Sequence, residues 1–173
     1  MRAAINASPL IFLARLDMLH LLDMYEKVYS THEVLSEVLG GIEAGYQDAL
    51  LVRKLIKEGK ISRVKTKARF GRYEKLLGLH KGEISVLLAA RELKLDLVIV
   101  DDRRAIKAAK YFGLKPVSTP FVLLEALSSG KLTLPHFKEC MDKLIEFGYR
   151  ISPKLYMEIL DKAKVLAKAR SGP

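Results

Sequence analysis

The chain has 173 residues, half of them apolar, which is enough to bury a core and too hydrophobic for intrinsic disorder. Lys and Arg number 30 against 20 Asp and Glu, so the net charge is +10 and the pI near 9.7, a balance suited to a polyanionic partner. Charges interrupt every apolar stretch before it reaches the length of a membrane span, and the early Ile11-Phe12-Leu13 run, broken by Arg15 and Asp17, does not read as a signal peptide; the lone Cys140 excludes an internal disulfide framework and suits a reducing, cytoplasmic setting.

In chain order the pattern alternates strand and helix. Residues 3–6 read as a strand, followed by a helix capped by Ser8 with Pro9 at its first position, where a missing N–H matters least. A short helix is expected over 17–25 and a strand over 27–29. Thr31 then caps a helix that carries Glu37. Residues 43–58 are expected to be helical, with Leu50, Leu51, Leu55 and Ile56 on one face and Gly59 as the stop. A short strand over 61–64 leads into a basic stretch, 65–78, that reads as a mobile or weakly helical insertion. A strong helix over 82–93 precedes Leu97-Val98-Ile99-Val100, apolar throughout as a strand covered on both faces must be. Next come a helix over 103–112 ended by Gly113, a short strand over 115–117 and a helix over 121–128. Helices over 134–147 and 153–169 follow, the last capped by Ser152. This alternation predicts a three-layer α/β/α sandwich around a central, mostly parallel sheet, with a domain at 1–130 and a C-terminal helical extension at 131–173 packed on it.

Acidic and amide side chains fall where such a sheet gathers ligands, outside the carboxyl ends of its strands. Asn6 ends the first apolar run and Asp101-Asp102 ends the Leu97–Val100 run. Glu37 lies between Val34 and Val38, and Glu83 has Val86, Leu87 and Ala90 along its own face, so both carboxylates border apolar stripes and need a partner, usually a cation. Each has a plainer reading alone: Asp101 or Asp102 as a helix cap, Asn6 as a turn residue, Glu37 and Glu83 as exposed helical acids. Together they form a set of oxygen ligands suited to a hard cation. The four histidines lack zinc spacing, and neither a phosphate-binding glycine loop nor a serine nucleophile elbow occurs.

The charge is concentrated. Residues 53–75 hold ten Lys or Arg against Glu58 and Glu74, an excess of eight, with Phe70 and Tyr73 interleaved. Arg53, Lys54, Lys57, Lys65, Lys67, Arg69, Arg72 and Lys75 are therefore the candidate nucleic-acid contacts, with rings available for base stacking; a solvated, Lys-rich surface is the alternative.

These residues resemble the PIN domain (PilT N-terminus) family of metal-dependent nucleases, in a divergent branch. The resemblance is carried by Ile5-Asn6-Ala7-Ser8-Pro9-Leu10-Ile11, the Glu37 helix, Gly82-Glu83 with Leu88-Ala89-Ala90, Val98-Ile99-Val100-Asp101-Asp102-Arg103-Arg104-Ala105 and Gly148-Tyr149-Arg150-Ile151-Ser152-Pro153. It implies a five-stranded parallel sheet and a site at Asn6, Glu37, Glu83 and Asp102, with Asp101 the alternative to Asp102. Ser8 matches the small hydroxyl residue that supports the first acid. It further implies Mg²⁺ or Mn²⁺ as cofactor, cleavage of single-stranded RNA, and, for many relatives, a toxin restrained by a small antitoxin protein; a homodimer is compatible with it. The family usually has Asp where this chain has Asn6. At an effective dielectric near 20, a unit charge ~4 Å away is worth ~4 kcal/mol, so metal binding is expected to be weaker than at a four-acid site. The rival expectation is a PIN-like module that binds nucleic acid or protein without cutting.

Overall fold

The computed structural model describes residues 1–68 and 70–171. Arg69 lies outside the described residues, as does the side chain of Arg72. Two compact units divide the chain, Met1–Ser118 and Thr119–Pro173.

The first unit is built on five strands, β1 (Arg2–Ile5), β2 (Lys27–Thr31), β3 (Ile61–Val64), β4 (Leu97–Ile99) and β5 (Pro116–Val117), paired in the order β3-β2-β1-β4-β5. Every pairing is parallel. The central strands β1 and β4 are apolar at nearly every position and buried, because helices cover both faces of the sheet. The helices are α1 (Ala7–Arg15), α2 (His32–Gly40), α3 (Gln47–Lys57), α4 (Gly71–Leu77), α5 (Lys81–Glu92) and α6 (Arg103–Tyr111), with a 3₁₀ turn at Leu19–Met24 in place of the expected second helix. One group, α1 to α3, packs together, and so do α4, α5 and α6, giving the two helical layers of an α/β/α sandwich; α2 also meets α5. Right-handed crossovers account for this. The chain moves one way from β1 to β3, then returns past β1 to β4, so its two sets of connections fall on opposite faces.

Several local expectations differ from the structure. The first helix begins at Ala7 with Asn6 in the cap position, its backbone extended (φ −88°, ψ 173°), and Ser8 is an exposed residue of the first turn instead of the cap. The turn from β1 into α1 is too tight to leave two residues between them. Residues 41–45 form a turn, so α3 starts only at Gln47, and the face it buries is Ala49 and Val52, with Leu50 and Leu51 exposed. The ion pair from Arg15 of α1 to Asp48, 3.3 Å, lies beside that buried face. In the basic stretch after β3 the helical reading holds over Gly71–Leu77, and residues 66–68 before it are anchored to Glu92. Thr66 Oγ1 donates to Glu92 Oε1 (2.5 Å), the Ala68 amide to the same oxygen (3.1 Å) and the Lys67 amide to Oε2 (3.1 Å), after which α4 forms. Thr31 does cap α2, its hydroxyl accepting from the Val34 amide.

The second unit holds α7 (Thr119–Ser128), α8 (Leu134–Glu146) and α9 (Pro153–Ser171), each packed on the other two. Thr133 accepts from the His136 amide and Ser152 from the Leu155 amide, so both later helices open on hydroxyl caps. Val122, Leu123, Phe137, Leu144 and Ala163 are fully buried. Cys140 is buried in α8, and burial pushes its thiol pKa up, as for a small core residue. Among the described residues no helix is long and apolar enough to cross a membrane.

Burial alone would raise the Glu92 pKa, but the hydrogen bonds from Thr66, Lys67 and Ala68 outweigh it and lower the value overall. The stabilisation from an acid with a depressed pKa is present above its unfolded pKa and is lost as pH falls through the folded one. Glu92→Ala should therefore release residues 66–68 at neutral pH, read by hydrogen exchange as loss of protection at the Lys67 and Ala68 amides with β4 unchanged. Acidification should produce the same change in the parent protein.

Candidate active site

The strand order reverses at β1. Connections from β1 lead outward to β2 and β3, whereas β4 and β5 lie on its other side, so the boundary between β1 and β4 is the topological switch point where open parallel sheets bind ligands. Ile5 is in register with Ile99, and the Asn6 amide donates to the Ile99 carbonyl at 3.0 Å, so the two strands end at the same level. Asn6, nearly buried at 5 % exposure, and Asp101-Asp102 therefore leave the sheet side by side. The Asn6 side chain makes no capping hydrogen bond to α1.

Two helices start at this edge and bring the other acids. Glu37 on α2 reaches the first turn of α5, where a Cβ on Gly82 would stand 3.1 Å from Glu37 Oε2; glycine there permits the close approach. The next residue is Glu83. Its Oε2 accepts from the His80 amide at 3.0 Å, closing a capping box at the start of α5. Asp102 is the N-cap of α6, its Oδ1 accepting from the Arg104 amide at 2.7 Å and the Ala105 amide at 3.0 Å. The Glu83 pKa is raised, chiefly by burial. The bond from His80 opposes this, and the negative charges of Asp102 and then Glu37 add to the rise. Glu83 thus feels the charges of both Asp102 and Glu37 at this edge, with Asn6 at the adjoining strand end.

A buried hydroxyl chain ties these elements together. Ser30 Oγ donates to the Ile5 carbonyl at 2.9 Å, just before Asn6. The Thr31 and Ser85 hydroxyls are 2.6 Å apart, and Ser85 Oγ also donates to the Gly82 carbonyl at 2.7 Å. Ser30, Thr31 and Ser85 are fully buried. They link the end of β1 to β2, and β2 to the first turns of the helices bearing Glu37 and Glu83. Sequence reasoning had Thr31 only as a cap and missed the two serines; the available signal was a hydroxyl at Ser85 within the apolar run Ile84 to Leu88, since a buried hydroxyl needs a partner. It also missed Glu33, one turn before Glu37, whose buried Oε2 has no hydrogen-bond partner among the described residues. Ser8 is exposed in the first turn of α1, next to Asn6.

Carboxylates and an amide oxygen are the donors of a hard divalent cation, and a cation would relieve the like-charge repulsion at Glu83. The donor chemistry fits Mg²⁺ or Mn²⁺. As the side chains stand, no three His, Cys, Asp or Glu among the described residues close on a single point that could hold a metal.

The basic residues of 53–75 are spread out. Arg53, Lys54 and Lys57 are exposed on the later turns of α3, near the amino end of β3. Lys65 and Lys67 follow its carboxyl end, with four strand residues, about 13 Å, between the two groups. Lys75 is exposed on α4.

A family model described as DUF3368, a PIN domain, matches residues 2–165. Among solved structures, the chain is similar to a PilT N-terminus domain protein from the hyperthermophilic archaeon Sulfolobus solfataricus P2, with 25% identity and a TM-score of 0.51 over 73% of this chain and 94% of that one. No curated protein matches the chain.

An acid whose pKa is raised on folding contributes stability that is complete below its unfolded pKa and is lost as pH rises through the folded one. Ionised Glu83 therefore weakens the metal-free fold at neutral pH. Glu83→Gln keeps an acceptor for the His80 amide and removes the charge, so it should raise the melting temperature at pH 7. The gain should fade as the pH falls through the raised pKa of Glu83 and be gone below the ordinary carboxyl range, where the folded and unfolded parent are both protonated; parallel melting curves across pH check this.

Proposed function

This chain belongs to the PIN domain family, whose members are generally nucleases and typically use divalent metals, and from that premise we propose that it is a Mg²⁺- or Mn²⁺-dependent endoribonuclease acting on single-stranded RNA. The observation that carries the reading is the placement of Asn6, Asp102 and Glu83 at strand and helix ends on the β1–β4 edge, with Glu37 Oε2 against Gly82, the neighbour of Glu83. In this reading Glu37, Glu83 and Asp102 hold the cation, with the Asn6 amide oxygen beside them. The bound cation supplies Lewis-acid polarisation of a phosphodiester oxygen and a more acidic water.

The chain's own residues supply position. Asp102 is pinned by two backbone amides and Glu83 by one, so neither carboxylate needs to be ordered when substrate arrives. The Ser30, Thr31 and Ser85 hydroxyls fix the helix starts and strand end that carry Glu37, Glu83 and Asn6. Exposed Lys65 and Lys67 stand beyond the carboxyl end of β3, on the same edge of the sheet as the acids, where they would attract the phosphate backbone without regard to sequence. The proposal extends to a small antitoxin protein that covers the acid edge, whose binding would be read as loss of cleavage.

Two observations favour the second reading, a PIN module that binds RNA without cutting it: Asn6 withholds the charge that the family usually places at this strand end, and no three acids among the described residues converge on one point as the chain stands. Cleavage of an end-labelled single-stranded RNA in Mn²⁺ and in chelator separates the two. The nuclease reading predicts cleavage in Mn²⁺ only, reduced about 100-fold or more in Glu37→Gln. Asn6→Asp should tighten Mn²⁺ binding by about tenfold or more, since a third of the Coulomb energy of one added charge already amounts to that. It should also raise cleavage and lower the melting temperature of the metal-free protein. RNA binding with no cleavage by either the parent protein or the Asn6→Asp variant would assign the chain to the binding-module reading.

A further inference from the structure

Helix α6 is amphipathic to an unusual degree. Its buried residues are all alanines, Ala105, Ala108 and Ala109, while Arg103, Arg104, Lys107 and Lys110 are exposed, and the helix carries no acid. The cations follow i, i+4, i+7 spacing from Arg103 to Lys107 to Lys110, so they form one row along the solvent side. Among the described residues Arg103, Lys107 and Lys110 have no ion-pair partner. The row presents its charge to solvent.

The row has different chemistry at its two ends. Asp102, one of the candidate site acids, caps its start. At the other end, about 14 Å further along the helix axis, Tyr111 and Phe112 join Tyr73, Leu76 and Leu77 of α4 and Arg91 of α5 around a cavity of about 420 Å³. Phe112 meets Tyr73 and Tyr111 edge to face, with ring centroids 5.7 Å apart in both pairs. The Arg91 guanidinium lies 5.8 Å from the Phe112 ring centre. Tyr111 is 78 % exposed and Leu76 71 % exposed, so a large ring and a large aliphatic chain are left in water beside a cavity. A lone exposed apolar residue needs no explanation, but a rimmed cluster of them marks a binding surface.

Rings backed by an arginine and continued by a row of unpaired cations match one chemistry closely. Stacking on aromatic faces with cationic tracking of the backbone is how single-stranded nucleic acid is held without sequence preference. We propose that the cavity at the C-terminal end of α6 receives an unpaired nucleobase of single-stranded RNA, and that the Arg103, Lys107 and Lys110 row guides the intervening phosphates toward the acids at the start of the same helix. The inference rests on the nucleic-acid part of the reading above and is independent of cleavage. It also shifts weight from the 53–75 segment: in the fold, its Tyr73 shares a cavity with residues that follow it by about forty positions.

The test is fluorescence anisotropy of a short labelled single-stranded RNA on the intact protein in chelator, so that no cleavage intervenes, beside an abasic oligonucleotide of the same length and phosphate count. Tyr111→Ala should weaken binding of the base-bearing RNA roughly 5- to 150-fold, the range of one base–ring stack, and leave the abasic oligonucleotide unaffected. Tyr111→Phe should restore binding. Lys107→Gln with Lys110→Gln should weaken both oligonucleotides equally and reduce the slope of log affinity against log salt by about 1.4, for two lost phosphate contacts. Failure of the parent protein to bind RNA would overturn the proposal, as would a Tyr111→Ala effect that is nil or the same on both oligonucleotides; a nil effect would leave the cavity to an apolar side chain of a protein partner. The expected binding pattern without cleavage in Mn²⁺ would remove the nuclease reading alone, and cleavage with Tyr111→Ala acting like the parent would remove the cavity alone.

Discussion

Glu83 is held half-buried beside the charges of Asp102 and Glu37, although each carboxylate would be better solvated apart. The parallel sheet makes the crowding hard to avoid. Strands β1 and β4 end at the same level, and α5 and α6 open at that edge, so their first-turn acids arrive together. Gly82 removes the side chain that would keep Glu37 at a distance. Backbone amides at the starts of α5 and α6 offset part of the repulsion by bonding Glu83 and Asp102, and they thereby fix where the charges stand. A cation would remove the remainder.

Beneath the acids, the Ser30, Thr31 and Ser85 hydroxyls keep the edge from relaxing outward. Each is fully buried and partnered, so removing one would leave another buried polar group unmet, typically at about 1–3 kcal/mol. The hydroxyls position, the acids carry charge, and α6 extends the cationic surface away from them. Its alanine face lets the helix pack while every long side chain on its other side is free to be basic or aromatic.

Where one residue's environment is set by its immediate neighbours, the pattern was legible in the sequence. Leu97 to Ile99 is a strand covered on both faces, Thr31 and Ser152 cap their helices, and the α/β alternation dictates which ends of strands and helices coincide, and so where the chain carries Glu37, Glu83 and Asp102. Features that depend on packing were not. Asn6 displaced Ser8 as the start of α1 because the connection from β1 is immediate. Leu50 and Leu51 outrank Ala49 and Val52 in hydrophobicity, yet the smaller pair faces inward. Charge counted along 53–75 suggested a single surface, whereas β3 separates its halves. The cavity shared by Tyr73, Arg91 and Tyr111 joins three helices that no local pattern connects.

Whether Glu37, Glu83 and Asp102 act as one cation-responsive cluster at the β1–β4 edge can be decided by anomalous scattering from crystals soaked in Mn²⁺. A peak is expected within ligand distance of at least two of these carboxylates, with Asn6 beside it, accompanied by movement of the Glu37 side chain toward the pinned Glu83 and Asp102. A soak with no peak at this edge, or with Mn²⁺ bound only at exposed acids such as Asp23 and Glu26, would contradict it.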